Sequence, residues 1–549
     1  MAGFGVLPNS NSICPGVPRR DEDEKQCNSI VDMAEQNSFR LLGNSAWNAA
    51  AFLFGVGLNL LILPFVVFRL GVAAFGVAGL VTACVAPALA LSNALALSAT
   101  REFAQRLEPD ERYDARRLFA TALALAAMLG VTVAALLALG GPTLARHAFN
   151  LGGEAAGDLA LAFAFAASGW LCQCLATVFI GLFTARQDYP RLAAISIIGA
   201  IVSISAMLVL IPRWPQASTF LGCQATGFAT SLLVSAGMSW RSIGEWLARP
   251  AFHSTALRRL ASFGVWQLAA QGGGLIAGQA DRYLLGAFLA PQFVGFYTIA
   301  QRLEEAVYIG ILKIGEILFP FFSELQKKES GERVADLLFR SSWVLNVLAA
   351  SALGALVPVA GPLLQVWTGA EVAAQAQHLL VILCIAGMLG CCGNVFAFFL
   401  LANGRSRSTA MISLTTAAFT LLTSAIALPL FGWQAAGFSS CIGMIAQIVI
   451  TMTLLRRSFD VADIWPRVGH FVLLPLATGI ATALALRYVA GGQLFQGTPG
   501  WWYVGAAYCL AAAIIFVVAV GVSRIGFYGD ACWRDLRLIA SRFLPFKVS

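Results

Sequence analysis

Charge is scarce in this sequence. Asp, Glu, Lys and Arg make up 12% of its 549 residues, whereas hydrophobic residues make up 58%. A soluble globular chain carries about twice that charged fraction, so a large water-soluble domain is excluded. The mean hydropathy of +0.76 reflects repeated apolar runs, and each is close to the ~20 residues that a membrane-crossing helix needs. The sequence therefore predicts an all-α polytopic membrane protein.

Several catalytic motifs are also missing. The sequence has no GK[ST] P-loop, no HExxH and no GxSxG, and its twelve cysteines show no CxxC spacing. The four histidines are scattered at His147, His253, His378 and His470. Nucleotide hydrolysis by a P-loop is therefore excluded. We predict a protein that is not an enzyme and that holds no metal and no cofactor.

Apolar runs are what the sequence has in abundance, and they predict fourteen spans. The predicted spans begin near Leu41, Phe75, Leu118, Asp158, Leu192, Ser218, Leu260, Phe293, Ser342, Gln377, Thr409, Gln434, His470 and Trp502. The connections between them are short, and those that face outward are too short to form a catalytic domain.

The basic residues alternate across these connections. The N-terminal tail, the even-numbered connections and the C-terminal tail together carry 29 Lys and Arg residues, against 4 in the odd-numbered connections. The positive-inside rule then places both termini on the cytoplasmic side of the membrane, which we predict to be an inner membrane. The formal net charge of +8 is accounted for by this orientation, and we predict no nucleic-acid partner.

The first twelve spans contain an internal repeat. QATGFATSL (Gln224–Leu232) matches QAAGFSSCI (Gln434–Ile442), and AAFGVAGL (Ala73–Leu80) parallels PQFVGFYTIA (Pro291–Ala300). Six spans separate equivalent positions, so the repeat is parallel, with its axis along the membrane normal. The alternative is that small residues recur in any membrane bundle. A parallel 6+6 repeat predicts two bundles, a cavity between them and alternating access.

This pattern divides the chain into six predicted parts. They are a cytoplasmic polar tail (1–40), an N-terminal six-helix bundle (41–240), a cytoplasmic linker (241–259), a C-terminal six-helix bundle (260–456), two extra C-terminal transmembrane helices (457–522) and a basic cytoplasmic tail (523–549).

The eighth span carries a stripe of charge. At about 100° per residue, Arg302, Glu305, Lys313 and Glu316 fall on one arc, whereas Glu304 points elsewhere. Ionisable residues inside a span are costly and are functional candidates by default. The alternative is that i,i+3 pairs neutralise each other and only let the helix line a wet cavity.

Two other spans each carry a polar face that includes side-chain amides. The seventh span aligns Gln267, Gln271, Gly274, Gly278, Asp281 and Arg282, and the first aligns Asn44, Asn48, Gly55 and Asn59. Equivalent helices of the two halves thus direct amides the same way, as a shared cavity requires. Two alternatives remain open: the amides glue helices together, or Asp281 and Arg282 form an ion pair at the outer membrane interface.

Cations in a low-dielectric cavity attract an anionic group strongly. Phosphate or diphosphate is the natural candidate, because the guanidinium group of arginine matches its geometry. The carboxylates of the same stripe could exchange H⁺ or bind Na⁺ in an ion-coupled transporter. H⁺ and Na⁺ therefore both remain candidates for the coupling ion.

Three segments carry a resemblance to a known family. The stretch from Asp281 to Leu303 (DRYLLGAFLAPQFVGFYTIAQRL), with ILFPFFSEL (Ile317–Leu325) after it, resembles the second-half signature of bacterial polysaccharide repeat-unit flippases. The segments Arg69–Leu80 and Leu91–Ala104 resemble the first half of the same family. The resemblance covers roughly Phe39 to Arg456. It places the chain in the multidrug/oligosaccharidyl-lipid/polysaccharide (MOP) exporter superfamily.

The resemblance implies a function. Members of this family flip an undecaprenyl-diphosphate-linked oligosaccharide from the cytoplasmic to the periplasmic leaflet, for exopolysaccharide, capsule or O-antigen synthesis. Their cavity is typically cationic, which by resemblance assigns Arg302 and Lys313 to the diphosphate. The implied partners are the lipid-linked oligosaccharide, membrane lipids, a polysaccharide polymerase and other assembly proteins.

Related classes remain as alternatives. Lipid II flippases also have fourteen spans, but they usually direct several arginines into the cavity from the first half, which here offers only amides. Drug exporters of the superfamily normally have twelve spans. A membrane polysaccharide polymerase or ligase is an alternative from a different class, and the internal repeat disfavours it.

Overall fold

The structure is a computed structural model, and it is all-helical throughout its described part. The described residues are 53–106, 112–149, 155–244, 247–316, 331–402, 406–458, 464–493 and 500–525. The prediction of an all-α membrane protein is confirmed for these ranges.

Fourteen long helices lie in these ranges. They are α1 Leu53–Leu70, α2 Val72–Ala104, α3 Arg112–Ala148, α4 Ala155–Ala185, α5 Tyr189–Leu210, α6 Ala217–Ile243, α7 Ser254–Phe288, α8 Pro291–Glu316, α9 Gly331–Thr368, α10 Ala370–Ala402, α11 Ser406–Phe431, α12 Ala435–Ser458, α13 Leu474–Gln493 and α14 Trp501–Ile525. A short helix, Ile464–Val468, and a π-helical turn, Gly469–Leu473, lead into α13.

Eleven of these helices are long and apolar enough to cross a membrane. The other three, α6, α7 and α8, are long enough but less apolar. Helices α7 and α8 owe this to the glutamines, glycines and charged residues predicted to face a cavity. The chain is a multi-pass membrane protein, and its most polar long helices lie at the junction of its two halves.

The helix pairs that pack in the first half recur in the second. Helix α4 packs against α2, α3 and α6, and α5 packs against α6. Six helices later along the chain, α10 packs against α8, α9 and α12, and α11 packs against α12. Each half thus has one central helix, α4 or α10, with neighbours in equivalent positions.

Helix α7 contacts both halves. It packs along α2 of the first half and along α11 of the second. Its N-terminal end is held by the preceding segment, where the backbone N–H of Ala251 donates to the Ala120 carbonyl at 3.2 Å. The Ser98 hydroxyl donates to the Leu260 carbonyl at 2.8 Å. These bonds hold the N-terminal end of α7 against α2 and α3.

The last two helices pack on the second half. Both α13 and α14 contact α9. The indole N–H of Trp343 donates to the Ser523 hydroxyl at 3.1 Å, and Asn346 Nδ2 donates to the Phe471 carbonyl at 3.3 Å. The π-helical turn therefore meets a buried amide of α9.

The first turns of α2 and α8 cross at very short range. A Cβ atom on Gly76 would overlap the carbonyl of Pro291, and a Cβ atom on Gly295 would overlap the carbonyl of Val72. The two contacts are related by a shift of 219 residues, because 72 maps to 291 and 76 to 295. Such reciprocity is what a twofold-related interface produces. We call this contact the outer seam, because the predicted topology places it on the outer side of the membrane.

Candidate substrate cavity

A cavity of about 370 Å³ lies between the two halves, beneath the outer seam. Helices α1, α2, α5 and α6 supply the wall on one side, and α7 and α8 supply it on the other. The polar side chains of the wall are Asn59, Thr82, Gln224, Arg282, Thr298, Arg302 and Glu305. The charged groups on this wall all come from the second half.

Arg282 is a buried cation on the cavity wall. Its residue surface is 3% exposed. Its guanidinium group donates from Nη1 to Gln279 Oε1 and from Nη2 to Gln301 Oε1, both at 2.9 Å. Two neutral amides therefore hold the group in place without neutralising its charge.

Arg302 is the second cation on the wall, and it is more exposed. Its side chain is 50% exposed, and Nη1 lies 3.6 Å from Glu305 Oε2. Gln301 Nε2 also donates to Glu305 Oε1 at 3.4 Å. Because an exposed pair at this distance is weak, a stronger anion can displace Glu305. Gln301 contacts both Arg282 and Glu305, so it links the two cations.

The first half lines the cavity with neutral polar groups. Asn59, Thr82 and Gln224 face the space from α1, α2 and α6. Asn59 Nδ2 donates to the Gly55 carbonyl of its own helix at 2.8 Å. Sugar hydroxyls are suitable ligands for such groups, because amides and hydroxyls both donate and accept hydrogen bonds. The wall is thus cationic on one side and neutral on the other.

Asp281 lies beside Arg282 in sequence but contacts other partners. Its carboxylate accepts hydrogen bonds from Tyr297 (2.8 Å), Ser424 (2.8 Å) and Ser440 (2.9 Å). The residue is 5% exposed. This differs from the alternative of an interfacial ion pair with Arg282, since both side chains are buried and bond to separate groups. Asp281 ties α7 to α8, α11 and α12.

The other sequence-predicted site residues lie in different places. Lys313 is on α8 but is not on the cavity wall, and Gln267 is half-buried on α7, also away from the wall. Asn44, Asn48 and the side chains of Gln271 and Glu316 lie outside the described residues. For all these positions the assignment to the substrate site stays a prediction.

Sequence reasoning missed two residues of the site. Gln279 and Gln301 hold Arg282, yet neither belongs to the polar faces derived above. The spacing of Gln279 three residues before Arg282 is a signal that was available, because i,i+3 side chains meet on a helix. The Gln301 contact joins two helices, and no spacing within one helix reveals it.

The family of the chain follows from its sequence match. A family model described as polysaccharide biosynthesis protein matches residues 41–326, which is more than half of the chain. The chain therefore belongs to this family, and the resemblance to polysaccharide flippases is confirmed.

One curated relative is similar over part of the chain. A probable flippase, AglR of Haloferax volcanii, is 23% identical over 215 residues. The alignment covers 39% of this chain and 45% of that relative. The chain thus spans less than half the length of the curated relative that it matches.

Solved structures show the same fold over much more of the chain. A lipid II flippase, MurJ, in an inward closed conformation matches with a TM-score of 0.66 and 9% identity, covering 89% of this chain and 99% of that one. A multidrug resistance MATE family transporter of the MOP superfamily, in an inward-facing conformation, matches with a TM-score of 0.64 and 14% identity. That match covers 75% of this chain and 94% of that one. At this identity the likeness concerns the fold.

Proposed function

We propose that this chain is a flippase that moves an undecaprenyl-diphosphate-linked oligosaccharide from the cytoplasmic to the periplasmic leaflet by alternating access. The observation that carries the proposal is the pair of arginines, Arg282 and Arg302, on the wall of the cavity between the halves. The diphosphate would bind these cations, displacing Glu305. The sugars would meet the neutral side of the wall.

The charge arrangement favours a diphosphate over a neutral or cationic cargo. Within the described part of the chain, no carboxylate accepts a hydrogen bond from Arg282, since both of its partners are glutamines. Guanidinium groups grip phosphate oxygens in pairs, with bonds about twice as strong as neutral ones. A cationic drug would be repelled by the same wall.

The packing supports the predicted architecture. We propose two six-helix bundles in a parallel 6+6 repeat (41–240 and 260–456), joined by a cytoplasmic linker (241–259), with both termini cytoplasmic in the inner membrane. The recurrence of equivalent helix pairs and the reciprocal outer seam support this arrangement. Rocking of the bundles would open the seam and close the cytoplasmic side.

Two further parts of the proposal rest on the family. The extra helices α13 and α14 would provide a groove for the lipid tail, and they pack on α9 at the edge of the second half. A polysaccharide polymerase and other assembly proteins would take the flipped unit. Export also needs an energy source, and we propose coupling to H⁺ or Na⁺.

The test uses a deletion strain. Its lipids are extracted, undecaprenyl-diphosphate oligosaccharide is quantified, and a periplasmic glycan probe reports which leaflet holds it. We expect a complete repeat unit to accumulate on the cytoplasmic side while surface polysaccharide is lost. Completed units that reach the periplasmic side unpolymerised would identify a polymerase or ligase instead. An unchanged lipid-linked glycan pool would point to export of a drug or another small solute.

Charge variants refine the test. We expect Arg282→Gln with Arg302→Gln to abolish export while the protein stays folded and in the membrane. The double variant Arg302→Gln with Lys313→Gln tests the assignment made from sequence. A difference in export between the two double variants shows whether Arg282 or Lys313 contributes more to export. Full export by both pairs would overturn the cationic site.

A lipid II flippase is the second candidate, because the fold matches one over 89% of this chain. The absence of charged residues on the first-half wall of the described cavity argues against it. Rescue of a strain depleted of its lipid II flippase would decide for this candidate.

A further inference from the structure

Glu304 is a buried carboxyl on the opposite side of α8 from the cavity. Its neighbour Glu305 lies on the cavity wall, but Glu304 turns into the second half and is 8% exposed. Among the described residues, no hydrogen-bond donor is assigned to its carboxyl group. An unpaired buried carboxylate is costly in a low-dielectric interior. The group is therefore most stable in its neutral form, with a bound proton.

Helix α10 leaves space for this carboxyl group. A Cβ atom on Gly387 would overlap Glu304 Oε1, and it would lie 3.1 Å from Cδ1 of Leu353 on α9. The missing side chain at position 387 thus forms a notch that Glu304 fills. An apolar side chain at position 387 would fill this space, so the glycine leaves room for the carboxyl group of Glu304.

The notch is the first step of a polar column. A Cβ atom on Gly390 would lie 3.2 Å from Sδ of Met444 and 3.4 Å from the Tyr308 hydroxyl, and one on Gly393 would lie 2.8 Å from Gln447 Nε2. Asn394 Nδ2 donates to the Tyr308 hydroxyl at 3.0 Å. Glycines one turn apart on α10 therefore each face a polar group of α8 or α12.

The column has a direction. In the predicted topology α8, α10 and α12 all run from the outer side toward the cytoplasm. Glu304 precedes Tyr308 on α8 by one turn, and Gly387 precedes Gly393 on α10 by six residues. The polar groups therefore lead from Glu304, near the middle of α8, toward the cytoplasmic face. This path runs inside the second half and is separate from the cavity.

Other titratable groups lie near this site. On α8 they are Tyr308 and Glu305, although the Glu305 side chain points to the cavity, and on α10 they are the thiols of Cys384 and Cys391. The α9 contact is the apolar side chain of Leu353. No Lys or Arg of the described chain is paired with the carboxyl group of Glu304, so no basic side chain neutralises its charge, and a bound proton would do so.

We propose that Glu304 is a proton-binding site of the second half, reached from the cytoplasm along the column of Tyr308, Asn394 and Gln447, and that its proton couples transport to the proton gradient. The coupling of this proton to transport rests on the proposed function, whereas the proton-binding site does not. Because Glu304 and Glu305 are adjacent on α8, a rotation of this helix changes the cavity wall and the buried carboxyl group together. One proton moved through 100 mV supplies a factor of about 50 in substrate distribution.

The first experiment needs no substrate. Infrared spectra of the purified full-length protein in lipid nanodiscs are recorded near neutral pH for wild type, Glu304→Gln and the control Glu102→Gln. Glu102 is a matched control, since it is also buried but is paired with Arg106 at 2.8 Å. We expect the carbonyl band of a protonated carboxyl group in wild type and in the control, and its loss in Glu304→Gln. A spectrum unchanged by Glu304→Gln would overturn the proton site.

A second variant guards against misfolding of the first. Tyr308→Phe keeps the ring and removes the hydroxyl from the column. We expect it to keep the band but to slow hydrogen–deuterium exchange of the carboxyl group at least about tenfold, as loss of a relay group should. Exchange at the wild-type rate would overturn the column as the route.

Coupling is then measured in cells. Surface polysaccharide is quantified in the deletion strain carrying each variant, with and without a protonophore. We expect the protonophore to reduce export by wild type and Glu102→Gln, and Glu304→Gln to export at a low rate that the protonophore does not change. Protonophore-sensitive export at the wild-type level by Glu304→Gln would overturn the coupling. If wild type itself restores no polysaccharide, the proposed function fails, and the infrared result still decides the proton site.

Discussion

Trp367 donates its indole N–H to the Leu60 carbonyl at 3.0 Å. That carbonyl is available because the residue four positions later in α1 is Pro64, which has no N–H to donate. The same relationship occurs at α2, where Pro87 leaves the Ala83 carbonyl free and the Tyr283 hydroxyl donates to it at 2.6 Å. In both cases an aromatic residue of the second half satisfies a carbonyl that a proline has freed in the first.

This relationship predicts the effect of Trp367→Phe. A backbone carbonyl without a partner is unfavourable inside a bilayer, and an interhelical hydrogen bond there contributes about 1 kcal/mol. We expect Trp367→Phe to lower the thermal midpoint of the purified protein in nanodiscs.

The matched control restores the missing donor from within α1. Pro64→Ala supplies an amide N–H to the Leu60 carbonyl. The double variant Trp367→Phe with Pro64→Ala should therefore recover most of the decrease in thermal midpoint. Equal midpoints for Trp367→Phe and the double variant would show that the hydrogen bond is not the cause.

The outer seam predicts a second effect. An alanine at Gly76 or Gly295 would place a methyl group against a backbone carbonyl, and overpacking of this kind typically costs about 1–3 kcal/mol. We expect Gly76→Ala and Gly295→Ala to favour conformations in which α2 and α8 separate at their outer ends.

The measurement uses a thiol beneath the seam. Thr298→Cys places it on the cavity wall, and labelling in intact cells by a membrane-impermeant reagent is followed by peptide mass spectrometry. The seam variants should raise this labelling. Gly505→Ala is the control, since nothing lies within 4 Å of a Cβ atom there. Labelling raised equally by all three variants would contradict the prediction.

Gln301 is predicted to act through Arg282. Gln301→Leu removes an acceptor from the guanidinium group, and a hydrogen bond to a charged group contributes about 1.5–3 kcal/mol. We expect export to fall at least about tenfold, but less than with Arg282→Gln. In an Arg282→Gln background, Gln301→Leu should have little further effect, because a residue that acts through another is not additive with it. Full additivity in this cycle would refute the positioning role.

Asp281 is predicted to hold helices together. Asp281→Ala leaves three hydroxyl groups without this acceptor, and at about 0.6–1.7 kcal/mol each the loss is about 2–5 kcal/mol. We expect a clearly lower thermal midpoint, with Ser440→Ala causing about a third of the decrease. A wild-type midpoint that rises with Na⁺ and not with K⁺, and loses that response in Asp281→Ala, would instead indicate a Na⁺ site.

The sequence alone determined the class of this protein. Scarce charge and repeated apolar runs required a helical membrane protein, because a bilayer offers no partner for an open backbone. The segments between Arg69 and Leu325 carried the family resemblance. Arg302 and Glu305 were identified as cavity residues because one helix face can be read from a period of 3.6 residues.

Tertiary structure decided which side chains meet across helices. The period of a single helix placed Arg282 on a polar face but did not pair it with Gln301, since that contact depends on how α7 and α8 pack. It likewise set Glu304 apart from the charged stripe without showing that Gly387 makes room for it. The carbonyls freed by Pro64 and Pro87 find their donors hundreds of residues away, in Trp367 and Tyr283. The residue pattern within one helix determines which way each side chain points. Only the packing of helices against each other determines which side chains come into contact.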